Sequence, residues 1–134
     1  MRLKQLKYIG KIDISLYQKV TNKKILTEEV IITENQIQHI IDRRGQDFYD
    51  KYNKYFSEII TNPDYIFEDK KENTAIVVKS FVHESANINI ILRLIVNGDN
   101  PGYKNSIITV IKENDKRFKQ RLRNNTPIYK NIDT

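Results

Sequence analysis

The sequence has no cysteine and no tryptophan, and its 134 residues include only 3 prolines and 4 glycines. Without cysteine, the chain has no disulfide bond, thiolate metal site or cysteine nucleophile. The scarcity of proline and glycine excludes long linkers and low-complexity tracts. No apolar run approaches the roughly 18 residues that span a membrane, and the basic N-terminus lacks the apolar stretch of a signal peptide. We therefore expect one cytoplasmic domain over residues 1–134, with no membrane contact.

The standard catalytic and metal-binding motifs are also missing. The sequence contains no Gly-rich phosphate loop, no HExxH and no GxSxG, and two histidines cannot build a usual zinc site. Acidic pairs such as Asp47/Asp50 lie in positions typical of a solvated surface. We predict no metal and no cofactor.

Positive charge is abundant and unevenly placed. The formal net charge is +6, and most of the arginines fall in two clusters, Arg43–Arg44 and Arg117, Arg121 and Arg123. Because a guanidinium offers a planar fork of donors that suits phosphate, this placement favours a polyanionic partner, with RNA or DNA ahead of a membrane surface. The alternative is a set of solvated side chains that serve solubility.

Helical patterns fill the region between residues 33 and 62. Thr33 and Gln36 have the spacing of a capping box, which predicts a helix from Thr33 to about Arg44 that Gly45 ends or kinks. Apolar residues at helical spacing predict a second helix over 48–60, which Pro63 ends.

After Pro63, apolar residues recur at every second position, which is the pattern of β-strands. Isoleucine- and valine-rich strands are predicted over 74–82, 88–96 and 105–111, and a shorter one from residue 65. Earlier short strands are predicted over 8–15 and before residue 33.

A basic helix is predicted to close the chain. It begins near Asn114, and Phe118 and Leu122 form its buried seam. The order of elements predicts an α+β domain: short strands and two helices, then an antiparallel sheet of about four strands and the closing helix.

Polar residues interrupt the apolar strands, and each has two interpretations. Lys79 and Arg93 either face outward from a one-sided sheet or belong to a site. Period two places Thr109 on the same face as Asn105, where threonine is also a natural strand former. His83 closes a strand beside a turn, where a polar residue is ordinary.

The first long helix carries a cation on its apolar side. At roughly 100° per residue, Arg44 falls within about 60° of Ile37 and Ile40, whereas His39 and Arg43 point away. Since a guanidinium does not lose its charge, either the helix has ended by Arg44 or this side chain points into a site.

Taken in order, these segments resemble the phage-type barnase–EndoU–colicin–RelE-like (BECR) nuclease domains over about residues 32–123. Those domains have a helix with a His-x-x-x-Arg-His pattern, an Asn-Pro-Asp turn, an Asn-Ser-Ile-x-Thr strand and a basic helix. The matching residues here are His39, Ile40 and Arg43, then Asn62–Asp64, then Asn105–Ile107 with Thr109. The chain departs from the pattern at Arg44, where the family most often has histidine.

The resemblance implies a metal-independent, toxin-like endoribonuclease that cleaves tRNA or another structured RNA. The substrate's 2′-hydroxyl would attack the adjacent phosphodiester, giving a 2′,3′-cyclic phosphate and a 5′-hydroxyl. On this reading, His39 or His83 is the acid or base, and Ser106 or Thr109 donates to a phosphate oxygen. The cations assigned to the phosphate are Arg43, Arg44 and Lys79, and those assigned to the RNA backbone are Lys104, Arg117, Arg121 and Arg123.

The departure at Arg44 keeps other functions open. Histidine exchanges protons near neutral pH, whereas arginine can only stabilise charge. The chain is therefore an RNase, a catalytically impaired nucleic-acid-binding module on the same fold, or a phage protein that binds another protein. The resemblance also allows a cognate immunity or antitoxin protein as a partner.

Overall fold

A computed structural model of the chain describes residues 5–132. The strands are β1 (Leu6–Lys11), β2 (Glu29–Thr33), β3 (Tyr65–Glu68), β4 (Thr74–Phe81), β5 (Ala86–Arg93), β6 (Asn105–Asn114) and β7 (Tyr129–Lys130). The α-helices are α1 (Ile14–Tyr17), α2 (Glu34–Arg44), α3 (Gln46–Tyr52), α4 (Phe56–Thr61) and α5 (Asp115–Asn124). Short 3₁₀ turns cover Gln18–Val20, Asn53–Tyr55 and Val82–Glu84. The α+β class is confirmed.

The sheet is larger than predicted and it is mixed. Within residues 5–132, seven strands form one sheet in the order β1-β2-β6-β5-β4-β3-β7, so the predicted count of about four strands is too low. The predicted strands β3 to β6 are antiparallel neighbours, and the parallel pair comes from the N-terminal strands. The N-terminal strands extend this sheet because β2 pairs in parallel with β6, through Val30 with Asn105 and Ile31 with Ser106. A period-two pattern identifies strands but not their partners, and β7 has too few residues to carry a pattern.

The capping box at the start of α2 is confirmed. The backbone N–H of Gln36 donates to Thr33 Oγ1 at 3.2 Å, and the N–H of Thr33 donates to Gln36 Oε1 at 3.1 Å. Gly45 ends the helix at a φ of 99°, a conformation that favours glycine. The single helix predicted over 48–60 is wrong, because the Asn53–Tyr55 turn separates α3 from α4.

The chain turns earlier than predicted at the end of β1. The strand predicted to reach residue 15 stops at Lys11, and α1 begins after Asp13, whose carboxylate accepts from the Ser15 N–H. This turn places Tyr17 in the core, where it is fully buried and its hydroxyl donates to the Ile60 carbonyl at 2.7 Å. Burial raises the pKa of Tyr17 far above its ordinary value.

Helices cover both faces of the central sheet. On the α2 face, Ile88 and Ile90 of β5 pack in one core with residues of α2 and α4. On the α5 face, a smaller core contains the predicted seam residue Phe118, with Leu122 and Ile91 packed against it. The seam of the closing helix is therefore confirmed, and the central strand β5 is buried from both sides. Within residues 5–132, no helix is long and apolar enough to cross a membrane.

Candidate nucleic-acid interface

A β-bulge places Ser106 and Thr109 on the same face of the sheet. Ser106 pairs with Arg93 and Thr109 with Ile91, and an extra residue of β6 lies opposite the Ile91/Leu92 step. Since Ile91 packs against the α5 core, both hydroxyls lie on the α5 face. The prediction that Thr109 shares a face with Asn105 is wrong, because the bulge reverses the alternation between them.

The surface around these two hydroxyls is half-buried rather than covered. We define the open strip as Arg93, Ile91, Ser106, Thr109 and Ile111, all of intermediate exposure. Within residues 5–132, the Ser106 and Thr109 hydroxyls make no hydrogen bond. Both are therefore available to donate to a ligand that lies on the sheet.

A carboxylate and an arginine bound the open strip where α5 begins. The Glu113 carboxylate is 11% exposed, and its Oε2 accepts from Arg121 Nη2 at 2.9 Å. Asn89 Nδ2 donates to Glu113 Oε1 at 3.1 Å, while Asn89 Oδ1 is buried and accepts no hydrogen bond from residues 5–132. Arg121, predicted as an RNA contact, is thus already engaged by Glu113.

A groove bounds the open strip at its other end. This cavity of about 610 Å³ lies between the 97–104 loop and strands β1 and β2, and both Ser106 and Arg93 line it. Asp99 Oδ2 accepts from the Val96 N–H at 2.9 Å and lies 3.4 Å from Arg93 Nη2. The hydrogen bond from Val96 holds the pKa of Asp99 below its ordinary value, and Arg93 acts in the same direction.

The side chains predicted to contact the RNA backbone differ in whether a carboxylate already pairs with them. Lys104, at the rim of the groove, forms an ion pair with Glu29 and lowers the pKa of that carboxyl. Arg117 and Arg123 are exposed on α5. Arg117 precedes Arg121 by one helical turn, which places both on one side of the helix.

The predicted α2 residues lie on the opposite side of the sheet. His39, Arg43 and Arg44 are exposed, and α2 packs on the face that Ser106 and Thr109 do not share. Arg44 Nε donates to the Val110 carbonyl of β6 at 3.3 Å. Strand β2 pairs with β6 only at the start of β6. Among the described residues no strand therefore lies beside β6 at Val110 on the side away from β5, and Arg44 supplies the donor to this carbonyl.

Lys79 and His83 are also apart from the two hydroxyls. Lys79 Nζ donates to the Asn62 carbonyl at 2.8 Å and lies 3.8 Å from Asp64 Oδ1, so it ties β4 to the Asn-Pro-Asp turn. His83 is exposed on the Val82–Glu84 turn. This turn leads into β5 at the end of the sheet where Glu113 lies.

Sequence reasoning missed Glu113 and the groove. Glu113 follows Thr109 by four residues, so alternation along β6 could have placed both side chains on one face. The groove has no sequence signal, because it brings β1, β2 and the 97–104 loop together. Among residues 5–132, no group of three histidine, aspartate or glutamate side chains is arranged as a metal site.

Comparison with known proteins identifies the family of the chain. No curated protein and no solved structure matches the chain. A family model described as phage-Barnase-EndoU-ColicinE5/D-RelE like nuclease2 (PBECR2) matches residues 4–130. This match spans nearly the whole chain and is longer than the resemblance over 32–123. The chain therefore belongs to the PBECR2 family of phage-type nucleases.

Proposed function

We propose that this protein is a metal-independent endoribonuclease whose substrate lies across the open strip. The observation that carries the proposal is the open strip itself. Two unengaged hydroxyls, Ser106 and Thr109, lie on a half-exposed sheet face between Lys104 at one end and the basic helix α5 at the other. A polyanion that crosses the strip meets cations at both ends and hydrogen-bond donors in between.

The proposed reaction uses the substrate's own 2′-hydroxyl as nucleophile. The Glu113 carboxylate accepts the 2′-hydroxyl proton, the 2′-oxygen forms a bond to phosphorus, and the bond from phosphorus to the 5′-oxygen breaks. We assign the proton for the leaving 5′-oxygen to His83, which lies on the turn at the same end of the sheet as Glu113. The products are a 2′,3′-cyclic phosphate and a 5′-hydroxyl, so no water is consumed in this step.

The remaining groups bind phosphates along the open strip or stabilise charge at the reacting one. Measured along β5, the partners of Thr109 and Ser106 lie four and six positions from the partner of Glu113, about 13 and 20 Å away at roughly 3.3 Å per residue. Their hydroxyls therefore donate to neighbouring phosphates of the substrate and hold the RNA along the strip. Arg121 lies beside Glu113 and adds a fixed positive charge next to the reacting atoms. The exposed arginines of α5 bind the RNA backbone without reading its sequence.

A structured RNA such as tRNA is the substrate class that we propose, with a toxin-like role in the cell. The basic helix and the open strip lie side by side on one face, so a folded RNA can contact both at once. An immunity or antitoxin protein for such an enzyme would cover the open strip, where it would exclude the substrate.

Product chemistry tests the proposal directly. Total tRNA incubated with the intact chain in EDTA should be shortened, and the fragments should carry 2′,3′-cyclic phosphate ends. An oligonucleotide with a single 2′-deoxy residue at the scissile position should survive, because it lacks the nucleophile. Cleavage that needs added Mg²⁺, or cleavage of the 2′-deoxy substrate, would contradict the mechanism.

Binding without cleavage is a second candidate. The observation that favours it is the separation of the predicted acid–base groups from the hydroxyls: His39 lies on α2, across the sheet from Thr109. RNA that binds with a normal salt dependence and stays intact would identify this function. A phage protein that binds another protein would show neither RNA binding nor cleavage.

A further inference from the structure

We propose that the groove beside Ser106 is a binding subsite for one unpaired nucleobase of a single-stranded RNA segment. The inference deepens the proposed function, because it names the part of the substrate held next to the open strip. It rests on the proposed function in one respect, which is that the bound nucleotide is part of the RNA substrate.

The groove has the size and surface of a small-molecule site. Its volume of about 610 Å³ falls within the roughly 300–1,000 Å³ that such sites have. Leu6, Ile31 and Ile95 supply apolar surface, and Ser106 lines the groove with them. A flat base with polar edges fits this combination better than an extended sugar or a second phosphate.

The groove also exposes an aromatic ring. Tyr103 is 62% exposed and Leu6 is 58% exposed, which leaves two large apolar side chains on the rim in water. Stacking of a base on an aromatic ring contributes roughly 1–3 kcal/mol and tolerates every base, because each base has a π-face. Tyr103 is therefore the stacking partner that we assign to the base.

Cations lie where the phosphate of the same nucleotide would be. Lys104 follows Tyr103 directly, and its ammonium pairs with Glu29 on an exposed surface. An exposed ion pair contributes little to stability, so this lysine can exchange Glu29 for a phosphate oxygen. Arg93 is held by Asp99 and by the Leu94 carbonyl, and it forms part of the wall.

The wall of the groove is preformed rather than assembled by the ligand. The Gly102 N–H donates to Asn100 Oδ1 at 2.8 Å, and the Tyr103 N–H donates to the Asn100 carbonyl at 3.1 Å. At the base of the loop, Asn105 is fully buried and accepts from the Ile95 N–H at 2.8 Å. A preformed site spares the ligand the entropic cost of ordering the loop.

Mononucleotides provide the test, because they contain a base but no bond for the enzyme to cleave. The four nucleoside 5′-monophosphates are titrated into the intact chain and followed by NMR, with ribose 5-phosphate as the ligand that lacks a base. We expect the nucleotides to shift the amide signals of residues 99–106 and to bind more tightly than ribose 5-phosphate.

Variants measure the contributions of the Tyr103 ring and the Lys104 charge to nucleotide binding one at a time. Tyr103→Ala should weaken nucleotide binding by roughly 5-fold to 100-fold, as loss of one stacked base implies, whereas Tyr103→Phe keeps the ring and the affinity. Lys104→Ala should weaken ribose 5-phosphate and nucleotides alike, and Lys54→Ala, a lysine on the Asn53–Tyr55 turn, serves as its control. Because Tyr103 is largely exposed, a matching thermal midpoint will verify that Tyr103→Ala is folded.

Three results would overturn the nucleobase subsite. The first is equal affinity for ribose 5-phosphate and for nucleotides. The second is unchanged nucleotide binding by Tyr103→Ala. The third is amide shifts in residues 99–106 on addition of a protein partner but of no nucleotide. A cleavage assay on the same samples distinguishes the two proposals. An inactive chain with base-dependent binding refutes the proposed function alone, and an active chain without base-dependent binding refutes the subsite alone.

Discussion

Replacement of Glu113 by glutamine distinguishes a catalytic role of this carboxylate from a purely structural one. Glutamine keeps the shape of the side chain and the oxygen that accepts from Asn89. Its amide nitrogen replaces the oxygen that accepts from Arg121 Nη2, and the side chain cannot take a proton from the 2′-hydroxyl. A general base contributes roughly 10²–10⁴-fold, so we expect Glu113→Gln to lower kcat by a factor in that range.

The effect of the same variant on stability should be small. The ion pair with Arg121 is 11% exposed at Glu113 and 27% exposed at Arg121, so solvent screens part of it. Hydrogen bonds to charged groups contribute about 1.5–3 kcal/mol, and screening lowers the loss here to about 1–2 kcal/mol. Against a total stability of about 5–15 kcal/mol, the variant stays folded at 25 °C.

The assay measures single-turnover cleavage of an end-labelled RNA across pH, alongside urea unfolding of the same samples. Asp115→Asn is the matched control, because Asp115 is an exposed neighbouring carboxylate that accepts from Asn87 Nδ2 at 3.3 Å. We expect it to leave the rate unchanged. If Glu113→Gln keeps more than about a tenth of the wild-type rate while folded, Glu113 is not the base.

Three further outcomes are expected. Arg44→Ala removes the donor to the Val110 carbonyl, so urea unfolding should show a free energy of unfolding lower by about 1 kcal/mol, with the cleavage rate unchanged. A higher cleavage rate for Arg44→His would contradict the role of Arg44 at the edge of β6. Burial raises the pKa of Tyr17 in the folded state above the value of about 10 that tyrosine has in the unfolded chain. The neutral side chain therefore contributes its full stability below about pH 10. Above that pH the free energy of unfolding falls by roughly 1.4 kcal/mol per pH unit. Tyr17→Phe should remove that slope from the free energy of unfolding, and an unchanged slope would exclude this tyrosine as its source. Arg117→Ala combined with Arg123→Ala should weaken RNA binding for all sequences alike and flatten the salt slope by roughly one to two units, whereas an unchanged slope would remove α5 from the interface.

Local sequence determined the elements that depend on a few neighbouring residues. The capping box of Thr33 and Gln36, the stop at Gly45 and the seam at Phe118 all follow from hydrogen bonds, backbone freedom or periodicity within one or two turns. These features were predictable because no distant part of the chain has to supply a partner for them.

The family was also readable from the sequence, because its segments keep their order along the chain. The resemblance rests on residues such as His39 and Asn105, and the family model confirms it over residues 4–130. What the resemblance could not supply is the position of each side chain relative to the others.

Tertiary structure alone decided which side chains share a face. One extra residue in β6 moved Thr109 from the side of Asn105 to that of Ser106, and a one-residue bulge leaves no trace in an apolar pattern. Pairing of β2 with β6 left the Val110 carbonyl on an edge, which explains why a guanidinium lies on the apolar side of α2. Strand pairing over long sequence distances depends on the packing of the whole core, so the open strip and the groove exist only in the folded chain.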